Sequence, residues 1–309
     1  MGVELIKVKP ADDGMRLNRW FLKYYPGLSL GRFNKLLRTK QIKVDGGRAE
    51  AGLKLAAGQE IRVPPLEAES RPIESRTGLS AKDEAFIKSL VVYKDENIIV
   101  INKPSGLAVQ GGTNTTRHID GMLDGLKFGM EEAPKLVHRI DKDTSGILVL
   151  ARSRKSAELL TKAFRERDLH KTYLALTRGI PAKESGEIKA PLEKCGEKVT
   201  VLAEGKRAVT DYRVVDEVGD KFALIEACPL TGRTHQIRAH LEYIGCPIVG
   251  DDKYFGTERK RFAELSDKLF LHAYKIDLSC IYSKLSEIKA PLPEHFKQAL
   301  KVLGISFRG

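Results

Sequence analysis

No two cysteines in this chain lie close enough to form a C-x-x-C pair; Cys195, Cys228, Cys246 and Cys280 stand well apart. That spacing argues against a disulfide framework and for reduced thiols in a cytoplasmic protein. A short-spaced Cys/His ligand set is also missing, so no zinc site is expected. His235 and His240 are five residues apart, which is not the i, i+4 spacing of a helical metal pair. No apolar run approaches the roughly 20 residues that span a bilayer. From Met1 to Lys9 charged and apolar residues alternate, without the apolar centre of a signal peptide. There is no glycine-rich phosphate-binding fingerprint and no internal repeat. Acidic residues fall short of basic ones: 53 Lys and Arg face 41 Asp and Glu, a net charge of +12. Such an excess suits a polyanionic partner such as nucleic acid, although basicity also simply aids solubility.

A length of 309 residues suits about two domains at roughly 150 residues each. In the first block, Leu17, Trp20, Phe21 and Tyr24 fall at helical spacing, and Pro26-Gly27 ends the pattern. A second helical pattern carries Phe33, Leu36 and Leu37, and short strand-like pieces follow at 42–44 and 60–63. Residues 11–65 hold eleven Lys or Arg against five acids, half the net charge in under a fifth of the chain. Arg32, Lys35 and Arg38 repeat at i, i+3, i+6 along one helix face, and Lys40 and Lys43 extend the same sign. A solvated face is the commonest fate of such a run, but this geometry suits successive phosphates. From Leu66 to about Lys88 serine, proline and acids dominate, as in a linker ending in a short helix. Beyond it, apolar runs at 98–101, 147–150, 173–176, 222–225 and 269–273 read as strands. Helical patterns fit 153–167 and 234–244, the second stopped by Gly245. Without strict strand–helix alternation, the expectation is an α+β body: a mixed, mainly antiparallel sheet flanked by helices.

Three segments concentrate chemistry. His138-Arg139-Ile140-Asp141-Lys142-Asp143-Thr144-Ser145-Gly146 is a polar loop between apolar strands, where a reactive group can be held rigidly. Asp143 fits an Asx turn. For Asp141, a salt-bridged turn residue and a catalytic carboxylate are about equally good readings. Thr231-Gly232-Arg233-Thr234-His235-Gln236-Ile237-Arg238 gathers donors at a helix start, where they could orient an anion or simply cap the helix. Tyr173, in Lys171-Thr172-Tyr173-Leu174-Ala175-Leu176, opens an apolar run and is ordinarily a core tyrosine.

Together these segments resemble the RluA-type pseudouridine synthases. The family's motifs stand here in its own order: INKPSGLAVQGG from Ile101 to Gly112, HRIDKDTSGILVLA, KTYLAL and TGRTHQIRAH. The similarity covers about Leu90 to Pro293. The first block resembles an S4 RNA-binding domain through RLNRWF, GRFNKLLRTKQIKVDG and GQEIRVP. The combination looks most like the RluC subgroup, which acts on large-subunit ribosomal RNA. Ile140 replaces the usual Leu, Gln110 stands where a His is common, and residues 113–135 match the subgroup poorly.

The resemblance implies an S4-like domain over 1–70, a linker over 71–89 and a pseudouridine synthase domain over 90–309. It implies isomerisation of uridine in RNA without metal or organic cofactor, by a cytoplasmic monomer with no membrane partner. By resemblance Asp141 is the nucleophile and Arg238 its ion-pair partner, with Arg233 second choice. Tyr173 packs on the uracil. Arg139 fills the space left by the everted base, Lys103 and Pro104 shape the pocket wall, and His235 contacts substrate. Arg16, Arg32, Lys35, Arg38 and Lys40 would grip RNA through the S4-like domain. Two rivals remain: a nucleosidase using Asp141, which needs a second catalytic carboxylate, and a catalytically silent RNA-binding ribosome-assembly protein of the same fold.

Overall fold

The computed structural model of the protein describes residues 3–66, 79–111, 115, 117–255, 265–283, 285 and 287–307. It divides into two units, Met1–Gly78 and Leu79–Gly309. Of the expected linker, residues 67–78 lie outside the described residues. Its end, placed by the sequence in the linker, is a helix of the second unit, Ala81–Ser89, whose Ile87 is fully buried in that unit's core. Ser80 caps this helix by accepting the Asp83 N–H, and the acids Asp83 and Glu84 sit in its first turn, where the helix dipole favours them.

The first unit runs β1 (Glu4–Lys7), α1 (Leu17–Tyr24), α2 (Leu30–Arg38), β2 (Lys43–Val44), β3 (Gly47–Arg48) and β4 (Glu60–Val63). Its four-stranded sheet has the order β1-β4-β2-β3. The helical spacing read from the sequence delivers Leu17, Trp20 and Phe21 to the core, against Phe33 and Leu37 of α2. Tyr24 takes a different path. Its hydroxyl donates to Asp12 Oδ2 at 2.6 Å, beside an ion pair from Lys23 to the same fully buried carboxylate at 2.5 Å.

The second unit continues with α3, the 81–89 helix, then β5 (Val91–Lys94), β6 (Ile98–Lys103), β7 (Lys135–Leu136), β8 (Ser145–Ala151) and α4 (Arg154–Glu166). Next come β9 (His170–Arg178), β10 (Ser185–Lys189), β11 (Leu192–Cys195), β12 (Lys198–Val201), β13 (Val209–Val218) and β14 (Phe222–Pro229). It closes with α5 (Gln236–Tyr243), β15 (Leu271–Asp277), β16 (Glu287–Lys289) and α6 (Glu294–Leu303). Among the described residues, ten strands form one sheet along β10-β13-β14-β9-β15-β8-β6-β5, with β16 on β15 and β7 on β8. Only the β15–β8 junction is parallel. The mixed, mainly antiparallel sheet expected from the sequence is therefore present. Separate apolar clusters fill each half of it: one around β6, β8 and α4, the other around β9, β14, α5 and α6.

The parallel junction explains a glycine. Gly146 pairs with Ala273 at φ +106°, and a Cβ there would stand 2.2 Å from the Ala273 carbonyl oxygen. Both the dihedral and the close approach demand glycine. Gly146→Ala is expected to cost at least ~2 kcal/mol of stability. Thermal denaturation of the purified variant measures this, and an unchanged Tm would show that the strands can part freely.

Candidate active site

Between β7 and β8 the chain forms the loop that carries Asp141, and the last residue of β6 with two residues beyond it clamps that loop. Lys103 is fully buried and its ammonium donates to the carbonyls of Pro104, Leu107 and Lys142 at 2.9, 2.8 and 2.8 Å. Ser105 Oγ donates to the Asp143 carbonyl at 2.7 Å, and Gly106 N donates to the Lys142 carbonyl at 3.0 Å. The turn is thus held through backbone carbonyls. Burial lowers the Lys103 pKa to about 7, with the nearby carboxylates of Asp143 and Asp141 offsetting part of that cost. Lys103 accordingly supports the loop from beneath and has no surface to offer a substrate. Neither it nor Pro104 lines the cleft, which corrects the expected role of both as pocket wall.

At the start of the loop, His138 stacks on Phe164 of α4 with ring centroids 4.1 Å apart, and its Nε2 accepts the Val149 N–H at 2.8 Å. Burial, aided by Lys171, pushes His138 down to about 3. Burial likewise pushes His272 to about 4, where the ring lies between the Ser145 hydroxyl and the Ala290 carbonyl. Both are neutral in the fold, while an unfolded histidine titrates near 6.5. Below that pH the unfolded chain takes up protons that the native state refuses. Stability should therefore fall as pH drops from about 6.5 towards 4, by at most about 1.4 kcal/mol per pH unit for each ring. Urea unfolding at neutral and mildly acid pH measures this, and a constant midpoint would contradict it.

The opposite wall comes from the loop before α5. Gln236 is buried and fully paired: its Oε1 accepts from the Thr231 hydroxyl at 2.6 Å and from Arg233 N at 3.1 Å. Its Nε2 donates to Val209 O and Thr210 Oγ1 at 2.8 and 2.9 Å. With Gln236 so fixed, the helix starts there, and His235 is left outside it at φ +51°, an uncommon backbone state for a residue with a side chain. Its Nδ1 lies 3.0 Å from the Tyr254 hydroxyl. Its Nε2 lies 3.8 Å from Asp141 Oδ2. Burial lowers the His235 pKa, Asp141 opposing and Arg238 adding to the shift.

One turn into α5, Arg238 reaches Asp141 Oδ2 at 3.7 Å through Nη1. Its closer partner is one the sequence reading missed. Asp251, fully enclosed, accepts from Arg238 Nε and Nη2 at 2.7 Å each. Tyr254 lies against the same guanidinium at 5.1 Å from the ring centroid. Burial works against the Arg238 charge, but Asp251 and then Asp141 more than offset it, so its pKa is raised. The guanidinium is therefore a fixed cation aimed at Asp141, with one fork spent on Asp251. Arg233 lines the same cleft, but its Nε donates to the Arg207 carbonyl at 3.2 Å.

These groups surround a cleft of about 460 Å³ that also takes in Tyr173 and Arg139. Tyr173 stands on β9, its hydroxyl pushed well above the usual phenol range by burial and by Asp141, so it stays protonated. Arg139 is exposed at the rim. Asp141, Tyr173, Arg238, His235, Arg233 and Arg139 are thus brought together. Asp141 is the one carboxylate among the described residues lining the cleft. No group of three or more His, Cys, Asp or Glu among the described residues could hold a metal ion. No helix among them is long and apolar enough to cross a membrane. In the first unit, taken by itself, Arg16, Lys35, Arg38 and Lys40 are exposed and Arg32 partly so, while Phe33 and Leu37 occupy the other side of α2.

A solved structure titled Human RNA Pseudouridylate Synthase Domain Containing 4 shares this fold: TM-score 0.64 and 28% identity, covering 75% of this chain and all of that one. A family model described as RNA pseudouridylate synthase matches residues 97–243. Ribosomal large subunit pseudouridine synthase C of Rickettsia bellii (strain RML369-C) is 38% identical over 295 residues, covering 92% of this chain and 96% of its own. The protein of the same name from Escherichia coli (strain K12) is 34% identical, covering 97% of both chains. Fold, site and kinship define an RNA-modifying isomerase. The chain belongs to the RluA-type family of RNA pseudouridine synthases.

Proposed function

We propose that this enzyme converts specific uridines of large-subunit ribosomal RNA to pseudouridine, with Asp141 as its nucleophile. One observation carries the assignment of the site. The cleft's one carboxylate stands 3.7 Å from a buried arginine whose orientation is fixed by a second, enclosed carboxylate. Such an arrangement presents an ionised Asp141 to a substrate without letting it form a closed salt bridge. The rival nucleosidase reading needs a second catalytic carboxylate, and Asp251 is consumed by Arg238.

In the reaction the target base leaves its stack, at a cost of about a few kcal/mol, and Arg139 at the rim occupies the space it vacates. Asp141 attacks the base or acts at the sugar C1′. The N1–C1′ bond breaks, the uracil turns, a C5–C1′ bond forms and the C5 proton is lost as N1 regains one. Nothing is gained or lost overall, so no redox partner or donor group is called for. Tyr173, protonated and half-buried, packs on the uracil, and His235 contacts it from the opposite wall. Unmodified large-subunit ribosomal RNA incubated with the protein should acquire pseudouridine and release no free uracil. Free uracil without pseudouridine would establish the nucleosidase instead.

The first unit is proposed to be an S4-like module that grips RNA phosphates through Arg16, Arg32, Lys35, Arg38 and Lys40. It supplies affinity and none of the reacting groups. Replacing Arg32, Lys35 and Arg38 together by Gln should lower the magnitude of d log K/d log[salt] by about 2 to 3. Binding isotherms across a range of salt test this, and an unchanged slope would leave those side chains as a solvated face.

A further inference from the structure

Lys171 is a cation of the cleft that, among the described residues, neither faces Asp141 nor pairs with a neighbouring side chain. It stands on β9 two residues before Tyr173, so both side chains leave the same face of the strand, about 6.5 Å apart along it. Both line the cleft. The groups around Lys171 do not neutralise it. His138 and Phe164 beside it form an uncharged stacked pair, the histidine neutral because burial and Lys171 itself hold its pKa down to about 3. Lys275, which shares a smaller void with Lys171, is paired with Glu287 at 3.0 Å. Burial lowers the Lys171 pKa and the nearby Arg167 adds to that, with no carboxylate acting in return. Asp141 does not compensate it, being engaged with Arg238 and His235.

A half-buried ammonium without a counter-charge among the described residues costs stability. Such a cost is understandable where the missing anion arrives with the substrate. We infer that Lys171 is the docking cation for the phosphodiester of the everted uridine, a subsite next to the base pocket and separated from Tyr173 by roughly the width of one ribose. The inference rests on the proposed reading of the cleft as the place where a uridine is everted. The neutral wall of His138 and Phe164 then serves a purpose. It places no competing acid beside the ammonium, so one phosphate meets one uncompensated charge. The same arrangement discriminates between a nucleotide within a strand and a free nucleoside, which lacks that phosphodiester.

The test uses the full chain and three variants, Lys171→Met, Lys171→Gln and Lys171→Arg, with unmodified large-subunit ribosomal RNA as the probe. The neutral variants should bind with a d log K/d log[salt] reduced in magnitude by roughly 0.7 to 0.9, the loss of one phosphate contact. KM for pseudouridine formation should rise with kcat less affected, and Lys171→Arg should restore both. Tm of Lys171→Met should rise, because an uncompensated buried charge has been removed. A residue that merely props up the fold would give a lower Tm with an unchanged salt slope, and an unchanged slope overturns the phosphate assignment. Should Lys171→Met fold poorly, Lys171→Gln reads the same slope. Wild-type protein that forms no pseudouridine would sink the proposed function, whereas an unchanged slope in an active enzyme would sink only the Lys171 subsite.

Discussion

Asp141→Asn should form no detectable pseudouridine while binding RNA as the wild type does. The substitution keeps the shape of a side chain that is only partly exposed, and it removes the charge that Arg238 and His235 face at 3.7 and 3.8 Å. No other carboxylate among the described residues lines the cleft to replace it. Loss of a nucleophile commonly lowers turnover by about 10⁴-fold or more, below what mapping of modified sites detects. Because the Asp141 loop is clamped by Lys103, Ser105 and Gly106 through backbone carbonyls, its course should survive the change. Tm should therefore stay close to the wild-type value. Residual activity near the wild-type level would remove Asp141 from the chemistry.

The second large effect concerns the enclosed Arg238–Asp251 pair. Asp251→Ala strands a buried guanidinium, and breaking such a pair from one side costs about 3–5 kcal/mol. Arg238→Met strands the carboxylate instead and should cost a similar amount. Activity should fall by orders of magnitude in both, since Asp141 then faces either a misplaced cation or none. The double variant Arg238→Met/Asp251→Leu separates the two effects. Replacing both members by apolar groups should recover most of the lost stability, as buried pairs often allow, yet it should remain inactive. Chemical denaturation together with pseudouridine quantification reads both quantities. An active double variant would show that Arg238 acts only as a structural bolt.

The sequence made the main elements visible where their signal was a strong period or a dense apolar run. The α1, α4 and α5 patterns and the strands β6, β8, β9, β14 and β15 stand close to where those signals lie. The ten-residue β13 was not legible, because most of its side chains are half-buried and mix Asp, Arg and Glu with valines. The short edge strand β10 and the hairpin β11–β12 are polar and exposed along much of their length. Lys103 was misplaced because its charge reads as exposed. It ends a strand that is buried on both faces from Ile98 to Ile101, and three backbone carbonyls receive its ammonium there. Asp251 stayed hidden because nothing local distinguishes it from Asp252. Only the fold, bringing Asp251 beneath α5, shows which acid Arg238 holds. A buried arginine aimed at a partly exposed carboxylate asks for a second anion, and that requirement was the available signal.

Pseudouridines can be mapped across the ribosomal RNA of cells that lack this gene, and of the same cells expressing either the wild-type protein or Asp141→Asn. Specific large-subunit positions should lose pseudouridine on deletion, regain it with the wild type and stay uridine with Asp141→Asn. Restoration by Asp141→Asn, or a large-subunit profile identical with and without the gene, would contradict the proposed function.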